Sequence, residues 1–222
     1  PEQFRGALRR RLVDAALVDV GTPGDVTRRV IALAVEYPSI PFFGIAPFRA
    51  ADAPFIALCA RHDFVDVLAD GVDAAALWWV LAARSFSSRF AAALRDPPAS
   101  LGLTTALQLA TWRRLVGDGG RVVRTIHLAR ALGVTREHLS RTFASAGAPN
   151  LKRVIDLVRL LAAAELAKNP GYDLRDVARL LGFTSPTLLS RTAQRVVGTR
   201  APSLAALRAV DLVSRFVRGR GN

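Results

Sequence analysis

One pattern occurs twice in the C-terminal half of this chain. Leu128-Ala129 leads through Gly133 and Thr135 to Leu139-Ser140-Arg141, and Val177-Ala178 leads through Gly182 and Thr184 to Leu188-Leu189-Ser190-Arg191. In each copy a small residue (Ala129, Ala178) lets two helices cross closely. The glycine that follows takes the backbone conformation of a tight turn, and a threonine (Thr135, Thr184) opens a second amphipathic helix by accepting from its free N–H groups. This half is therefore expected to be helical and to hold two helix-turn-helix units.

The charge lies in the same half. Residues 1–100 balance Lys and Arg against Asp and Glu, so the remainder supplies the whole formal charge of +13. A concentrated positive field attracts phosphate backbones by counterion release, and a sequence pI near 11.5 makes nucleic acid the expected partner. A solvated basic face without a ligand is the plain alternative.

With 222 residues, 51% of them hydrophobic, the chain has room for two domains with real cores. The apolar stretch Ala74–Ala83 is too short to span a bilayer and no segment reads as a cleavable signal, so a bacterial cytoplasmic location at the nucleoid, with no membrane partner, is expected. A single cysteine, Cys59, excludes an internal disulfide and a multi-cysteine zinc site, and within Ile56-Ala57-Leu58-Cys59-Ala60 it reads as a helical core residue. His62, His127 and His138 have no ligand spacing. No metal site, cofactor, catalytic residue or enzymatic activity is expected. The chain contains no Met and begins at Pro1, which reads as a fragment of a longer protein.

Periodicity and punctuation place the C-terminal helices. Leu103–Val116 has a helical stripe through Leu107, Ala110, Trp112 and Leu115, stopped by Gly117-Asp118-Gly119-Gly120. A helix over 123–132 precedes one starting at Arg136, and a long helix over 151–168 ends at Asn169-Pro170-Gly171. Asp173 is expected to cap the next helix with Asp176 as its capping-box acid, and Ser185-Pro186 starts the last reader in the order cap, then proline.

On these residues, 103–208 resembles the AraC/XylS family of bacterial transcription regulators. The second motif, from Val177 to Arg191, is similar to that family's signature, including one residue more between glycine and arginine than in the first. Val154-Ile155, Arg159-Leu160, Ala163 and Leu166 fall where the family's linker helix has comparable residues. The signature phenylalanines are replaced by Leu189 and Ala193, and a following lysine by Gln194. The resemblance implies double-stranded DNA as the partner, with RNA polymerase as a further candidate. It also implies two reading helices entering successive major grooves about 34 Å apart along the duplex. Arg136, Glu137, Ser140 and Arg141 on the first reader, and Ser185, Thr187, Ser190 and Arg191 on the second, leave the apolar stripe and are the candidate DNA contacts. Each has the alternative of an ordinary solvated residue, and Arg141 and Arg191 that of pairing within the fold.

In the N-terminal half a short apolar run ends in an acid, Asp14–Asp19, before Gly21-Thr22-Pro23-Gly24. Helix, strand, helix, strand and helix are then expected at 26–36, 41–46, 51–61, 64–69 and 73–84, an alternation that predicts a parallel sheet covered by helices. This order resembles the receiver domain of response regulators, beginning at its second helix (1–11). Asp19 matches the phosphoacceptor, whereas Ala46 stands for the switch Thr or Ser and Asp70 for the Lys. The resemblance thus implies a degenerate receiver-like, flavodoxin-like domain missing its first strands, with Asp19 as a relic or a phosphoacceptor. Phe55, Trp78 and Trp79 are candidate interface residues for homodimerisation or docking, with core packing as the alternative.

The expected organisation is a receiver-like α/β domain at 1–84, a linker at 85–102 and an all-α DNA-binding domain at 103–222. The expected function is sequence-specific transcription regulation. One rival is an architectural DNA binder with little sequence preference. Another is a DNA-repair methyltransferase-like protein using Cys59, whose flanking residues lack that chemistry's motif.

Overall fold

The computed structural model describes residues 1–144 and 147–219. These form two compact units, Pro1–Arg89 with Lys168–Tyr172, and Phe90–Ala167 with Asp173–Asn222.

The first unit runs α1 (Glu2–Arg10), β1 (Ala16–Asp19), α2 (Asp25–Ala32) continued by a 3-10 turn at Leu33–Glu36, and β2 (Phe42–Ala46). A 3-10 turn at Ala50–Asp52 then opens α3 (Ala53–Arg61), followed by β3 (Asp66–Ala69) and α4 (Ala74–Arg84). The strands are parallel in the order β1-β2-β3, with Val18 opposite Gly44 and Ile45 opposite Leu68. Helical crossovers between parallel neighbours give the expected α/β layering, because only a long connection returns the chain to the same end of the sheet. The expected helix over 26–36 tightens at Leu33, just ahead of Pro38, whose ring disfavours helix in the residue before it. Val18, Val20, Ile31, Tyr37, Phe42, Phe43, Ala46 and Cys59 fill the core.

Phe55 belongs to this interior as well. It is buried with the Arg28 guanidinium 5.4 Å from its ring centre, and so does not share a surface with the two tryptophans of α4. Trp78 and Trp79 are both exposed. Core packing, the alternative expected for these three residues, therefore holds for Phe55 and fails for both tryptophans.

A short segment from far along the chain completes this unit. Gly171 N–H donates to the Glu36 carbonyl (2.9 Å), and the Gly171 carbonyl accepts from Arg9 Nε (3.1 Å) and from the Tyr37 hydroxyl (3.3 Å). Tyr172 donates its hydroxyl to the Leu8 carbonyl (3.2 Å), and its ring meets Tyr37 edge-on at 4.9 Å. Asn169, almost fully buried, accepts from Ser39 N–H at 2.9 Å and bonds the Ser39 hydroxyl. The Asn169-Pro170-Gly171 run thus ends a helix, as its composition predicts, and also plugs an α/β core, which no local pattern announces.

The second unit begins where a linker was expected. Instead α5 (Phe86–Ala93) and α6 (Pro97–Ser100) are helical. Phe86, Phe90 and Leu94 recur at one-turn spacing and are all buried, and Trp112 Nε1 donates to the Leu94 carbonyl at 2.9 Å. Pro97-Pro98 reads as a linker because proline breaks helices, yet proline at a first turn starts one. There follow α7 (Ala106–Gly117), α8 (Thr125–Ala131), α9 (Arg136–Ala144), α10 (Leu151–Leu166), α11 (Leu174–Leu180), α12 (Pro186–Val197), a 3-10 turn at Ala201–Ala206 and α13 (Ala209–Arg218). On α7 the buried face is Gln108, Thr111, Trp112 and Leu115, displaced from the predicted Leu107 and Ala110. Gln108 causes the shift: its Oε1 accepts from Thr104 and Thr105 N–H and its Nε2 donates to the Thr142 carbonyl, so a polar residue is satisfied inside.

At Gly171 a Cβ would lie 2.4 Å from Tyr37 Cζ, in a site where the ring is fully buried. Gly171→Ala should destabilise the chain by about 1–3 kcal/mol, as overpacking does. Chemical denaturation followed by circular dichroism measures this. An unchanged midpoint would mean that the Tyr37 ring yields without penalty.

Candidate nucleic-acid interface

The two motifs match atom for atom in their turns. Gly133 and Gly182 both have left-handed backbones, with φ of 68° and 67°. Gly133 N–H donates to the Arg130 carbonyl (3.1 Å) and Val134 N–H to Ala129 (3.0 Å), while Gly182 N–H donates to Arg179 (3.0 Å) and Phe183 N–H to Ala178 (2.8 Å). These bonds close the C-terminal ends of α8 and α11 and re-aim the chain, which a residue with a Cβ resists. Ala129 and Ala178 are buried as the crossing points.

The caps differ and explain the extra residue. Thr135 Oγ1 accepts from His138 N–H (3.1 Å), as expected, whereas in the second copy Thr184 is exposed and Ser185 is the cap, its Oγ accepting from Leu188 N–H (3.1 Å). Ser185 is therefore in part a structural residue. Asp173 caps α11 as expected, its Oδ1 accepting from Asp176 N–H at 2.8 Å.

Each second helix buries one stripe and presents the other. On α9, Leu139 and Phe143 are inside while Arg136, Glu137, Ser140 and Arg141 are exposed. On α12, Leu189, Thr192, Ala193, Val196 and Val197 are inside, Thr187 and Arg191 are exposed, and Ser185 and Ser190 are half-buried. Among the described residues no acidic partner holds Arg136, Arg141 or Arg191, so these three guanidiniums are free to meet phosphate or base edges. Leu189 and Ala193, smaller than the family's phenylalanines, are nonetheless fully enclosed. Leu188, 42% exposed, adds an apolar side chain to the outward face of α12.

Between the motifs, α10 holds the second one by its turn. Arg159 donates through Nε (3.2 Å) and NH2 (2.9 Å) to the Leu181 carbonyl, and its guanidinium lies 3.7 Å from the centre of the Phe183 ring. Burial lowers the Arg159 pKa from its ordinary value, with Asp156 at 3.7 Å opposing that shift. Asp156 also receives Arg195 at 2.8 Å. A basic cleft of about 330 Å³ lined by Asn150, Lys152, Arg153 and Arg195 lies at the start of α10, and it was not singled out from the sequence.

Residues 128–203, from the first motif through α10 to the turn after α12, match the model of a helix-turn-helix domain family of the AraC type. Over this segment the chain is similar to AraC-type helix-turn-helix domains. That likeness supports a DNA-binding transcription regulator. No curated protein and no solved structure matches the chain. Among the described residues no helix is long and apolar enough to cross a membrane, and no group of His, Cys, Asp and Glu is placed to hold a metal ion.

Asp19, at the end of β1, lines a cleft of about 390 Å³ with Gly21, Thr22, Pro47, Arg49 and Asp70. Its Oδ1 accepts from Gly21 N–H (2.9 Å) and its Oδ2 from the Thr22 hydroxyl (3.0 Å). Arg49, overlooked in the sequence, donates to the Gly21 carbonyl (2.7 Å) and pairs with Asp52, holding that carboxyl below its usual range. Cys59 is fully buried, and desolvation pushes its thiol up to about 11, so the thiolate a methyl acceptor requires is scarce at neutral pH.

The two turn glycines have different surroundings, and this gives a paired test. A Cβ at Gly133 meets open space, whereas one at Gly182 would lie 2.8 Å from the Cβ of Val122. Gly133→Ala should cost about 1 kcal/mol for the left-handed backbone alone, and Gly182→Ala more, by a further 1–3 kcal/mol of overpacking. Thermal melts of both variants measure the difference, and equal losses would show that Val122 moves aside freely.

Proposed function

We propose that the chain is a sequence-specific transcription regulator whose α9 and α12 each enter a major groove, the two grooves succeeding one another on one face of the duplex. The observation that carries this reading is the matched pair of capped helices, each with a buried apolar stripe and an outward polar stripe. Helices of this kind dock with their N-terminal residues on base edges. Arg136 and Arg141 suit guanine or phosphate, and Ser140, Thr187 and Ser190 position the backbone or read bases loosely.

The first reader dominates specificity in this proposal. It offers Arg136, Glu137 and Arg141 to the groove, whereas the second has Arg191, with Arg195 held by Asp156, a cap serine already engaged and an apolar Leu188. A leucine reads thymine methyls at most, so the second reader contributes mainly phosphate positioning. That weakness is also what favours a second reading, an architectural binder with little sequence preference.

For the first unit we propose a receiver-like regulatory domain that has lost phosphoryl chemistry. Its parallel sheet with an acid at the end of β1 supports the likeness. The loss follows from Asp19, whose carboxylate oxygens are both engaged by its own turn, and from Asp70, a second negative charge lining the same cleft.

Competition binding against a selected site and random DNA tests the first proposal. Arg136→Ala or Arg141→Ala should weaken binding to the site by about 1–3 kcal/mol while changing random-DNA binding less. Equal losses on both DNAs would leave the architectural reading standing. For the first unit, acetyl phosphate with magnesium should leave the chain unmodified by intact-mass spectrometry. An adduct that disappears in Asp19→Asn would end the claim of lost phosphoryl chemistry.

A further inference from the structure

Between Asp118 and Asp156 the sequence holds seven Lys or Arg and one acidic residue, Glu137. It is also the one acid across α9 and α12 together, and it lies in the first turn of α9. The cap of that helix does not use it. Thr135 Oγ1 accepts from His138 N–H at 3.1 Å, so a histidine stands where a capping box would have its acid. Glu137 is exposed, on a face shared with Ser140 and Arg141 and turned away from the buried Leu139 and Phe143. Among the described residues its carboxylate meets neither a cation nor a hydrogen-bond donor. Arg141 is four residues further on, a spacing at which Glu and Arg commonly pair, and here both are left open.

A bare carboxylate on a basic surface that faces phosphate weakens binding to every DNA sequence, unless some sequence compensates it. Resting on the groove placement proposed above, we infer that Glu137 is the specificity-determining residue of the first reader, its carboxylate accepting from the N4 amino group of a cytosine. The base edges decide which partner fits. An ionised carboxylate has acceptors only. In the major groove guanine presents two acceptors, N7 and O6, and thymine presents O4 beside a methyl group, so neither bonds to it. Adenine offers its N6 amino group next to the N7 acceptor, whereas cytosine offers N4 with no acceptor of its own on that edge. Arg141 completes the match one turn along the helix, because the guanine paired with that cytosine presents N7 and O6 to a guanidinium. The open acid and the open guanidinium of α9 thus suit the two partners of one C·G pair.

Plainer roles for the side chain make different predictions. An acid in a first turn stabilises its helix through the dipole, and that effect is the same whatever DNA is bound. It moves no base preference. Glu137 is also distinguished from Arg136 and Arg141 by sign: removing a guanidinium weakens binding to random DNA, while removing this carboxylate strengthens it.

The test uses the full chain on a site selected from a random-sequence library and scanned base by base, together with competition by random DNA. Cytosine should be preferred at least about fivefold at one position beneath the first reader. Glu137→Ala should level that position to within about twofold, and Glu137→Gln should move its preference to adenine, whose N6 and N7 match an amide. Preferences elsewhere in the site should hold. Both variants should bind random DNA roughly threefold more tightly at low salt, with the far-ultraviolet spectrum and melting temperature of the parent chain. A site whose base preferences are the same in all three chains overturns this inference and leaves the groove reading standing. Weaker binding of either variant to random DNA also overturns it. A parent chain that selects no site overturns the groove reading, and this inference with it.

Discussion

Everything in the DNA-binding unit depends on α10 being a buried rod. Along its length Leu151, Val154, Leu157, Val158, Leu160, Leu161, Ala162, Ala163, Ala164 and Leu166 are all enclosed, so nearly every side of the helix is in contact with protein. Helices α7 and α9 lean on it from the first motif, and α11, α12 and α13 from the second. The alanines permit this crowding. At Gly120 a Cβ would come within 2.4 Å of Ala162 Cβ, so the loop between α7 and α8 passes in backbone contact with the rod. Small residues on both sides turn α10 into a ruler between the two helix-turn-helix motifs. Arg159 then fixes the angular setting of the second motif by holding the Leu181 carbonyl, a hydrogen bond from a charged donor in a partly buried site, of the kind contributing about 1.5–3 kcal/mol.

The parts of this architecture legible in the sequence are those coded locally. A left-handed turn needs glycine, and a cap needs a short oxygen-bearing side chain, so Gly133, Gly182, Thr135, Asp173 and Ser185 could be placed from their spacing. Alternating α/β units gave the parallel sheet for the same reason. What stayed hidden depends on partners. Periodicity shows that a helix has an apolar face without showing what meets it, so Phe55 and the tryptophans looked alike although the structure separates them. Gln108 entered the core because three backbone groups happened to face it. The proline pair at 97 and 98 obscured the stripe of Phe86, Phe90 and Leu94. Among the site residues, the outward positions on α9 and α12 were readable from their stripes, while the Arg159 clamp and the cleft at Lys152 and Arg153 are tertiary.

Charge divides the molecule by task. Arg136, Arg141 and Arg191 on α9 and α12 have no acidic partner among the described residues, whereas Arg5, Arg49, Arg179 and Arg208 are each paired with a carboxylate close by in the fold. Paired arginines organise local structure and add little to a distant field, so the field that DNA meets comes from those left without a mate.

The segment Lys168–Tyr172 carries a consequence for the order of events at the ribosome. Tyr37 is fully buried, and part of its cover is Gly171 and Tyr172, which are synthesised only after α5 through α10 have been made. An α/β domain of this size would ordinarily close as soon as it leaves the exit tunnel. At translation rates of about 5–20 residues per second this one waits several seconds with a tyrosine and a set of backbone acceptors uncovered. Its final closure is completed only in chains that have been translated through the long helix between the two motifs.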